Sequence, residues 1–197
     1  MSEVQTEITC LCEEVFPVHY EDELDIAQES NRKTILEGQY LSFSCPACKK
    51  AIKIEPRVRL YDGNDCWEVF PETERDHFLA GALELSRDLH RVVFGYKEMA
   101  EKVRILGDRL DDRPLEILKF TFLEKQGWPE GVFLTYHENR DGKIFFYIEG
   151  LKQNEVGVTA VPETFYERIQ SQIGNPPPEW ADVLVGPYVS VQKLGTQ

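Results

Sequence analysis

The stretch that decides the fold of the first third of the chain is LSFSCPACKKAIKIEPRVRL, residues 41–60. Apolar residues alternate with polar ones on both sides of the CPAC sequence at 45–48, with Phe43 before it and Ile52 and Ile54 after it. This period of two is typical of β-strands. The pattern therefore predicts a β-hairpin that carries two cysteines at its tip.

A second close pair of cysteines, Cys10 and Cys12, lies upstream of this hairpin. It is also followed by an alternating segment, with Phe16, Val18 and Tyr20 on one face. Two hairpin tips that face each other would place four sulfur atoms around one tetrahedral Zn²⁺ ion, which is a common structural zinc site. We therefore predict a structural zinc ion with four ligands: Cys10, Cys12, Cys45 and Cys48.

Two other interpretations of these cysteines stay open. A redox-active dithiol at Cys45 and Cys48 would need a helix N-terminus to lower the pKa of the first thiol, whereas a strand pattern follows this pair. Otherwise the reduced cysteines would pack as small apolar residues. The single residue between Cys10 and Cys12, and Lys49 in a position where glycine often relaxes the turn, both lower the expected metal affinity.

The charge of the chain limits the classes of function it can have. Among 197 residues, 35 are acidic and 22 are basic, which gives a net charge of −13. Such a charge repels nucleic-acid phosphates and anionic membranes. The second hairpin is an exception, since it is locally basic through Lys49, Lys50, Lys53, Arg57 and Arg59. We expect these residues to be neutralised by the acidic segment 1–30, with a zinc-ribbon nucleic-acid-binding module as the alternative.

The expected location is the cytoplasm, without contact to a membrane. Residues 1–15 contain no Lys or Arg and no apolar stretch, so they lack the features of a secretory signal. No apolar run approaches the roughly 20 residues that span a bilayer. Five cysteines are an odd number, and in a reducing compartment they indicate metal ligation or free thiols.

The apolar period changes after residue 74. Apolar residues then follow each other at alternating distances of four and three, which is typical of a helical stripe. Gly81 and Gly95 interrupt this stripe, so it predicts two helices, which either pack within their own domain or form a dimer interface. The stripe consists of Phe78, Ala82, Leu85, Leu89, Val92, Tyr96, Met99, Val103, Leu106 and Leu110.

The remainder of the chain predicts another helix and a small sheet. Asp111 can cap a helix that continues through 115–125. Strands are expected over 132–137 and 143–149, joined by a turn at 139–142. A further strand at 157–161, a helix over 162–173, and closing strands at 183–185 and 188–191 complete the prediction.

The fold class predicted from these patterns is α+β. It comprises zinc-ribbon-like β-hairpins in residues 1–72, central helices in 73–126, and a small antiparallel sheet with one helix in 127–197. The last two regions could form one continuous domain.

Beyond the cysteines, five segments form a recognisable pattern: 8–12, 36–48, 59–62, 101–105 and 110–119. Together they resemble the CpXC domain family, a bacterial family named for its paired Cys-Pro-x-Cys knuckles. The resemblance implies a metal-binding ribbon within about the first 125 residues and does not define a biochemical function. Family members usually have Cys-Pro-x-Cys in both knuckles, so the first knuckle of this chain is one residue shorter and lacks the proline.

The function predicted from the sequence is a non-catalytic zinc-binding interaction or regulatory protein. We find no phosphate-binding loop, no dinucleotide fingerprint and no nucleophile elbow in the sequence. The expected partner is another protein, or a second copy of the chain, bound through the helical stripe. An enzyme is less favoured, because four thiolates would fill the coordination sphere of the metal.

Overall fold

The computed structural model describes residues 3–63, 65–127 and 131–195. The chain divides into two compact units, Met1–Ala100 and Glu101–Gln197. The strands of the first unit are β1 Glu3–Thr9, β2 Val15–Glu21, β3 Glu23–Asp25, β4 Ser42–Ser44, β5 Ala51–Lys53, β6 Val58–Asp62, β7 Asp65–Phe70 and β8 Arg91–Phe94. Its helices are α1 Glu29–Leu36 and α2 Arg75–Leu79.

Helix α3, Gly95–Gly107, contains the boundary between the two units. The elements that follow it are α4 Asp112–Gln126, β9 Phe133–Arg140, β10 Lys143–Lys152, β11 Glu155–Pro162, α5 Glu163–Gln170 and α6 Ala181–Leu184. Within the described residues, no helix has the length and apolar character needed to cross a bilayer. The α+β class predicted from the sequence is confirmed.

Two antiparallel hairpins carry the cysteine pairs, as the alternating pattern predicts. β1 pairs with β2, and β4 pairs with β5, with Phe43 opposite Ile52. Phe16 and Val18 are buried in a small apolar cluster against which Phe43 and Ile52 pack. Phe16 and Val18 lie two apart in β2 and therefore share one face of that strand, which packs against the other hairpin.

A four-stranded sheet forms the rest of the first unit, in the order β3-β6-β7-β8. β6 and β7 are antiparallel, whereas β3 pairs with β6, and β7 with β8, in parallel. Helix α1 precedes the second cysteine hairpin. It ends at Gly38, whose φ of +75° is the left-handed conformation expected of a terminating glycine.

The predicted helical stripe is wrong in its middle part, because residues 80–90 form no helix and 91–94 form β8. Gly81, with φ of +71°, ends α2: its N–H donates to the carbonyl of Phe78 at 2.9 Å. Val92 and Val93 are consecutive β-branched residues that pair in parallel with β7, and both are buried. Only the last part of the stripe, on α3, lies along an extended helix, so the stripe is not a continuous helical surface.

The second unit is built around an antiparallel sheet in the order β11-β10-β9. The predicted strands, the turn between β9 and β10 and the helix after β11 are all confirmed. Asp141 and Gly142 have φ of 53° and 69°, as a tight hairpin turn requires. Tyr136 and Phe146, on one face of the sheet, are buried in a core with residues of α3 and α4.

The predicted closing strands at 183–185 and 188–191 are wrong. Residues 181–184 form α6, and Val191–Gly195 forms a 3₁₀ helix. Backbone groups of this segment form hydrogen bonds with buried side chains instead of with a neighbouring strand. The carbonyl of Val189 accepts a hydrogen bond from Lys102 at 3.0 Å, and the N–H of Val191 donates to Glu116 at 3.0 Å.

These two side chains belong to a buried network of five charged residues in the second unit, which we did not predict. Lys102 Nζ lies 2.8 Å from Glu116 and 3.2 Å from Asp112. Lys119 Nζ lies 2.9 Å from Glu116 and 2.7 Å from Glu101. All five are at most 6% exposed. Since buried charges are tolerated only when they are paired, the network fixes how α3, α4 and residues 189–191 pack together.

Candidate metal centre

The four cysteines predicted as ligands come together at the tips of the two hairpins. Cys10 and Cys12 lie in the loop between β1 and β2, and Cys45 and Cys48 lie in the loop between β4 and β5. Their four sulfur atoms all lie within 4.8 Å of one another. The sulfur of Cys10 is 3.5 Å from that of Cys48, and the sulfur of Cys12 is 3.7 Å from that of Cys45. Each of these short distances joins one hairpin to the other.

The two loops differ by one residue and close with different turns. In the first loop the N–H of Glu13 donates to the carbonyl of Cys10 at 2.9 Å, three residues back. In the second loop the N–H of Lys49 donates to the carbonyl of Cys45 at 3.0 Å, four residues back. The shorter knuckle therefore forms a tighter turn and still directs both thiols to the same point.

Each turn also contains a residue in the left-handed conformation directly after its second cysteine. Glu13 has φ of 70° and Lys49 has φ of 63°. This region favours glycine, because the Cβ of other residues crowds the backbone there. The conformation explains why glycine is common after such knuckles, and why both turns of this chain are strained.

The separations of the sulfur atoms fit a tetrahedral metal ion. A zinc–sulfur distance of about 2.3 Å gives about 3.8 Å between the sulfur atoms of a regular tetrahedron. The two short distances of 3.5 and 3.7 Å are close to this value, and the limit of 4.8 Å requires a contraction of at most about 1 Å. Four thiol groups also form the soft ligand set that zinc and similar ions prefer.

The pKa values of the cysteines also favour a bound cation in the cluster. The backbone N–H of Cys48, together with that of Ala47, lowers the pKa of Cys45 to about 7, although burial acts the other way. At Cys10 the backbone N–H of Cys12 lowers the pKa, but burial and the neighbouring thiols raise it more, to about 12. Thiols this close oppose each other's ionisation, so a cation among them is what would allow all four to be thiolates.

One side of the cluster is open to solvent and the other is closed. Cys10 and Cys45 are buried, at 4% and 0% exposure, against the apolar cluster between the hairpins. Cys48 is half-buried and Cys12 is exposed. Leu11, between the two cysteines of the first knuckle, is 95% exposed. The first knuckle therefore presents a thiol and an apolar side chain to solvent.

The fifth cysteine, Cys66, lies outside this cluster. It is buried in β7, where its N–H donates to Nδ1 of His90 at 3.1 Å. Burial raises the pKa of its thiol. Among the described residues, the cluster of potential metal ligands consists of the four predicted cysteines and includes no histidine.

Most of the basic residues of the second hairpin have partners inside the first unit. Arg57 donates to the buried carboxylate of Glu68, with a shortest distance of 2.6 Å. Arg59 lies 2.7 Å from Asp88 and 3.6 Å from Glu23.

The lysines behave similarly. Lys53 Nζ lies 3.6 Å from the centre of the Tyr96 ring, and Lys49 Nζ donates to the carbonyl of Pro46 at 2.7 Å. The two arginines are therefore offset by carboxylates, whereas these two lysines contact neutral groups and keep their charge.

Comparison with known proteins relates this chain to a family and to one distant relative. A family model described as CpXC protein matches residues 8–119, a range that contains the whole cysteine cluster. An uncharacterised protein of Treponema pallidum (strain Nichols) is 26% identical, over 96% of this chain and 98% of the relative. No solved structure matches this chain.

Proposed function

The chain belongs to the CpXC protein family, and from this premise we propose that it is a non-catalytic zinc-binding protein in which the metal joins two β-hairpins into a ribbon recognised by a protein partner. The convergence of four sulfur atoms within 4.8 Å carries the proposal. In this role the cysteines would be the ligands, and zinc would supply a rigid tetrahedral junction.

Four sulfur ligands favour a structural role over a catalytic one. Catalytic zinc sites keep one coordination position for water or substrate, whereas structural sites are closed by four protein ligands. The cluster offers one thiol for each of the four positions. We therefore propose that the metal stabilises the ribbon and takes part in no reaction.

The tip of the first hairpin is the part of the ribbon best suited to contact another protein. Leu11 is 95% exposed and Val15 is 53% exposed, so two apolar side chains project beside the cysteines. A metal that fixes this loop would lower the entropy lost on binding a partner. A nucleic-acid-binding role has less support, because four of the five basic residues of the second hairpin have partners within the protein.

We also propose that the protein works in the reducing cytoplasm. All five cysteines are free thiols, including two sulfur pairs close enough to be oxidised together. Thiolate ligands persist where glutathione and thioredoxin keep thiols reduced.

Elemental analysis of the purified protein tests the proposal. We expect close to one zinc ion per chain in the wild type, and loss of that zinc in a Cys45→Ala, Cys48→Ala variant. The matched control is Cys66→Ala, which removes a buried cysteine outside the cluster and should retain the metal. A wild-type protein that contains no zinc when purified under reducing conditions would overturn the proposal.

A separate experiment tests the nucleic-acid alternative. Binding of DNA or RNA at low salt, weakened strongly as salt is added, would favour this alternative. Absence of a mobility shift at low salt would exclude it.

A further inference from the structure

The short contacts in the cysteine cluster run across the hairpins. Cys12 lies 3.7 Å from Cys45 and Cys10 lies 3.5 Å from Cys48, measured between sulfur atoms. A disulfide has a sulfur–sulfur distance of about 2.05 Å, so each pair needs to close by about 1.5 Å. The loops between β1 and β2 and between β4 and β5 are the parts that would move. Both pairs are therefore placed to form a bond once electrons are removed.

The four sulfur atoms differ in their exposure to solvent, and this difference determines which of them an oxidant reaches first. Cys12 is exposed, whereas Cys45, its neighbour across the hairpins, is fully buried. A small oxidant from solvent would meet the sulfur of Cys12 first. Exposed Glu13 and Glu14 follow Cys12 directly, and the chain carries a net charge of −13, so neutral oxidants are favoured over anionic ones.

We propose that the cluster is a site of oxidative modification by neutral hydroperoxides, which convert it into two disulfides across the hairpins, Cys12–Cys45 and Cys10–Cys48. This inference rests on the zinc-binding role proposed above and adds a means of regulating the same site.

The chemistry balances with hydroperoxide as the oxidant. The thiolate of Cys12 attacks one peroxide oxygen, so that a sulfur–oxygen bond forms as the oxygen–oxygen bond breaks, and an alcohol or water leaves after taking up a proton. The thiolate of Cys45 then attacks the sulfur of this sulfenic acid. A sulfur–sulfur bond forms, and hydroxide leaves and becomes water. Two electrons have passed from the two thiolates to one hydroperoxide.

The first disulfide leaves two of the four ligands, which are too few for a closed structural zinc site. A second hydroperoxide oxidises Cys10 and Cys48 in the same way. The new bonds join residues that are 33 and 38 positions apart, so they replace the metal as the connection between the hairpins. Zinc would be released while the ribbon stays joined.

The experiment treats the zinc-loaded full-length protein with hydrogen peroxide. Zinc release is followed with a chromophoric indicator. The disulfides are located by mass spectrometry of the unreduced tryptic peptides, with fragmentation of the linked pair to assign each cysteine to its partner. Trypsin leaves Cys10 and Cys12 on the peptide 1–32, and Cys45 and Cys48 on the peptide 34–49. Disulfides across the hairpins therefore link the two peptides, whereas disulfides within each knuckle do not.

We expect about one zinc ion to be released per chain, with the two peptides linked, and recovery of zinc binding after dithiothreitol treatment. The variant Cys66→Ala should respond in the same way. Retention of zinc, disulfides confined to single peptides, the pairing Cys10–Cys45 with Cys12–Cys48, or sulfinic and sulfonic acids without disulfides would overturn the inference alone. Absence of zinc before peroxide is added would overturn the proposed function, while linked peptides from that metal-free protein would still support the inference.

Discussion

Glu116 keeps a negative charge in the interior of the second unit because two lysines contact it. Its carboxylate lies 2.8 Å from Lys102 and 2.9 Å from Lys119, and it accepts the N–H of Val191 at 3.0 Å. Replacement of Glu116 by glutamine leaves both ammonium groups with less compensation in a buried site. We expect Glu116→Gln to lower the free energy of unfolding by about 3 to 5 kcal/mol, the usual effect of breaking a buried ion pair.

Urea unfolding measures this loss. The matched control is Glu124→Gln, which changes an exposed glutamate on the same helix, α4, and should have an effect within about 0.5 kcal/mol. Equal stability of the two variants would show that the network does not stabilise the fold.

The same carboxylate makes stability depend on pH. Burial raises the pKa of Glu116, but the charges of Lys102 and Lys119 lower it further, to about 2. A lowered pKa contributes stability that is fully present above the ordinary value of 4.5 and is lost as the pH falls towards 2. The stability difference between the wild type and Glu116→Gln should therefore shrink between pH 5 and the lowest pH at which unfolding is measurable.

Urea unfolding of both proteins over this pH range tests that expectation. The two proteins differ only at position 116, so groups distant from it contribute equally and cancel in the comparison. A difference that stays constant down to pH 3 would contradict the pKa assignment.

At the scale of elements, the turn after the second cysteine pair is strained because Lys49 stands where the backbone favours glycine. Lys49 has φ of 63° directly after Cys48, and a residue with a side chain costs about 1 kcal/mol in this conformation. We expect Lys49→Gly to raise zinc affinity about fivefold, measured by competition with a chelator. Lys50→Gly is the control, since it adds a glycine one residue beyond the strained position and should not raise the affinity.

The sequence pattern predicted correctly those helices and strands whose contacts are made by residues close together in the chain. The alternation around the cysteines gives both hairpins, and Asp111 caps α4, with its side chain accepting the N–H of Arg113 at 2.9 Å. The stripe failed because spacing alone does not distinguish a helix from a strand such as β8. The parallel pairing of β8 with β7 joins segments more than twenty residues apart, and no local signal marks it.

The candidate site was easier to predict than the packing around it. Cysteines are rare and their spacing is specific, so the sequence predicted that these four would cluster, and the structure brings their sulfur atoms together. Lys102 and Lys119 gave no such signal, because lysines at helical positions usually face solvent. Their burial depends on acids and backbone groups that are distant in sequence, including Val189.

At the scale of the whole molecule, the two compact units should respond differently to loss of metal. The cysteine cluster lies in the first unit, and the second unit has its own apolar core and ion network. We expect a chelator to unfold the hairpins β1–β2 and β4–β5, since zinc binding contributes on the order of 10 kcal/mol and is coupled to folding. The helices α3 and α4 should largely persist.

Circular dichroism at 222 nm and amide hydrogen exchange measure these two responses together. Most of the helical signal should remain after chelation, while exchange accelerates in the four strands of the hairpins. The Cys45→Ala, Cys48→Ala variant should match the chelated wild type. Complete loss of the helical signal on chelation would contradict the prediction that α3 and α4 stay folded without the metal.

The ion network also has a consequence for folding during synthesis on the ribosome. Lys102 depends on a carbonyl 87 residues later, at Val189, and Glu116 depends on an N–H 75 residues later, at Val191. The hairpins and their four thiols emerge long before these groups, so the ribbon can take up metal on the nascent chain. We expect the second unit to complete its packing only after residues 189–191 have left the exit tunnel, because these residues complete the ion network. A ribosome that stalls before residues 189–191 emerge would therefore carry a chain whose two cysteine hairpins are folded and whose second unit is still unfolded.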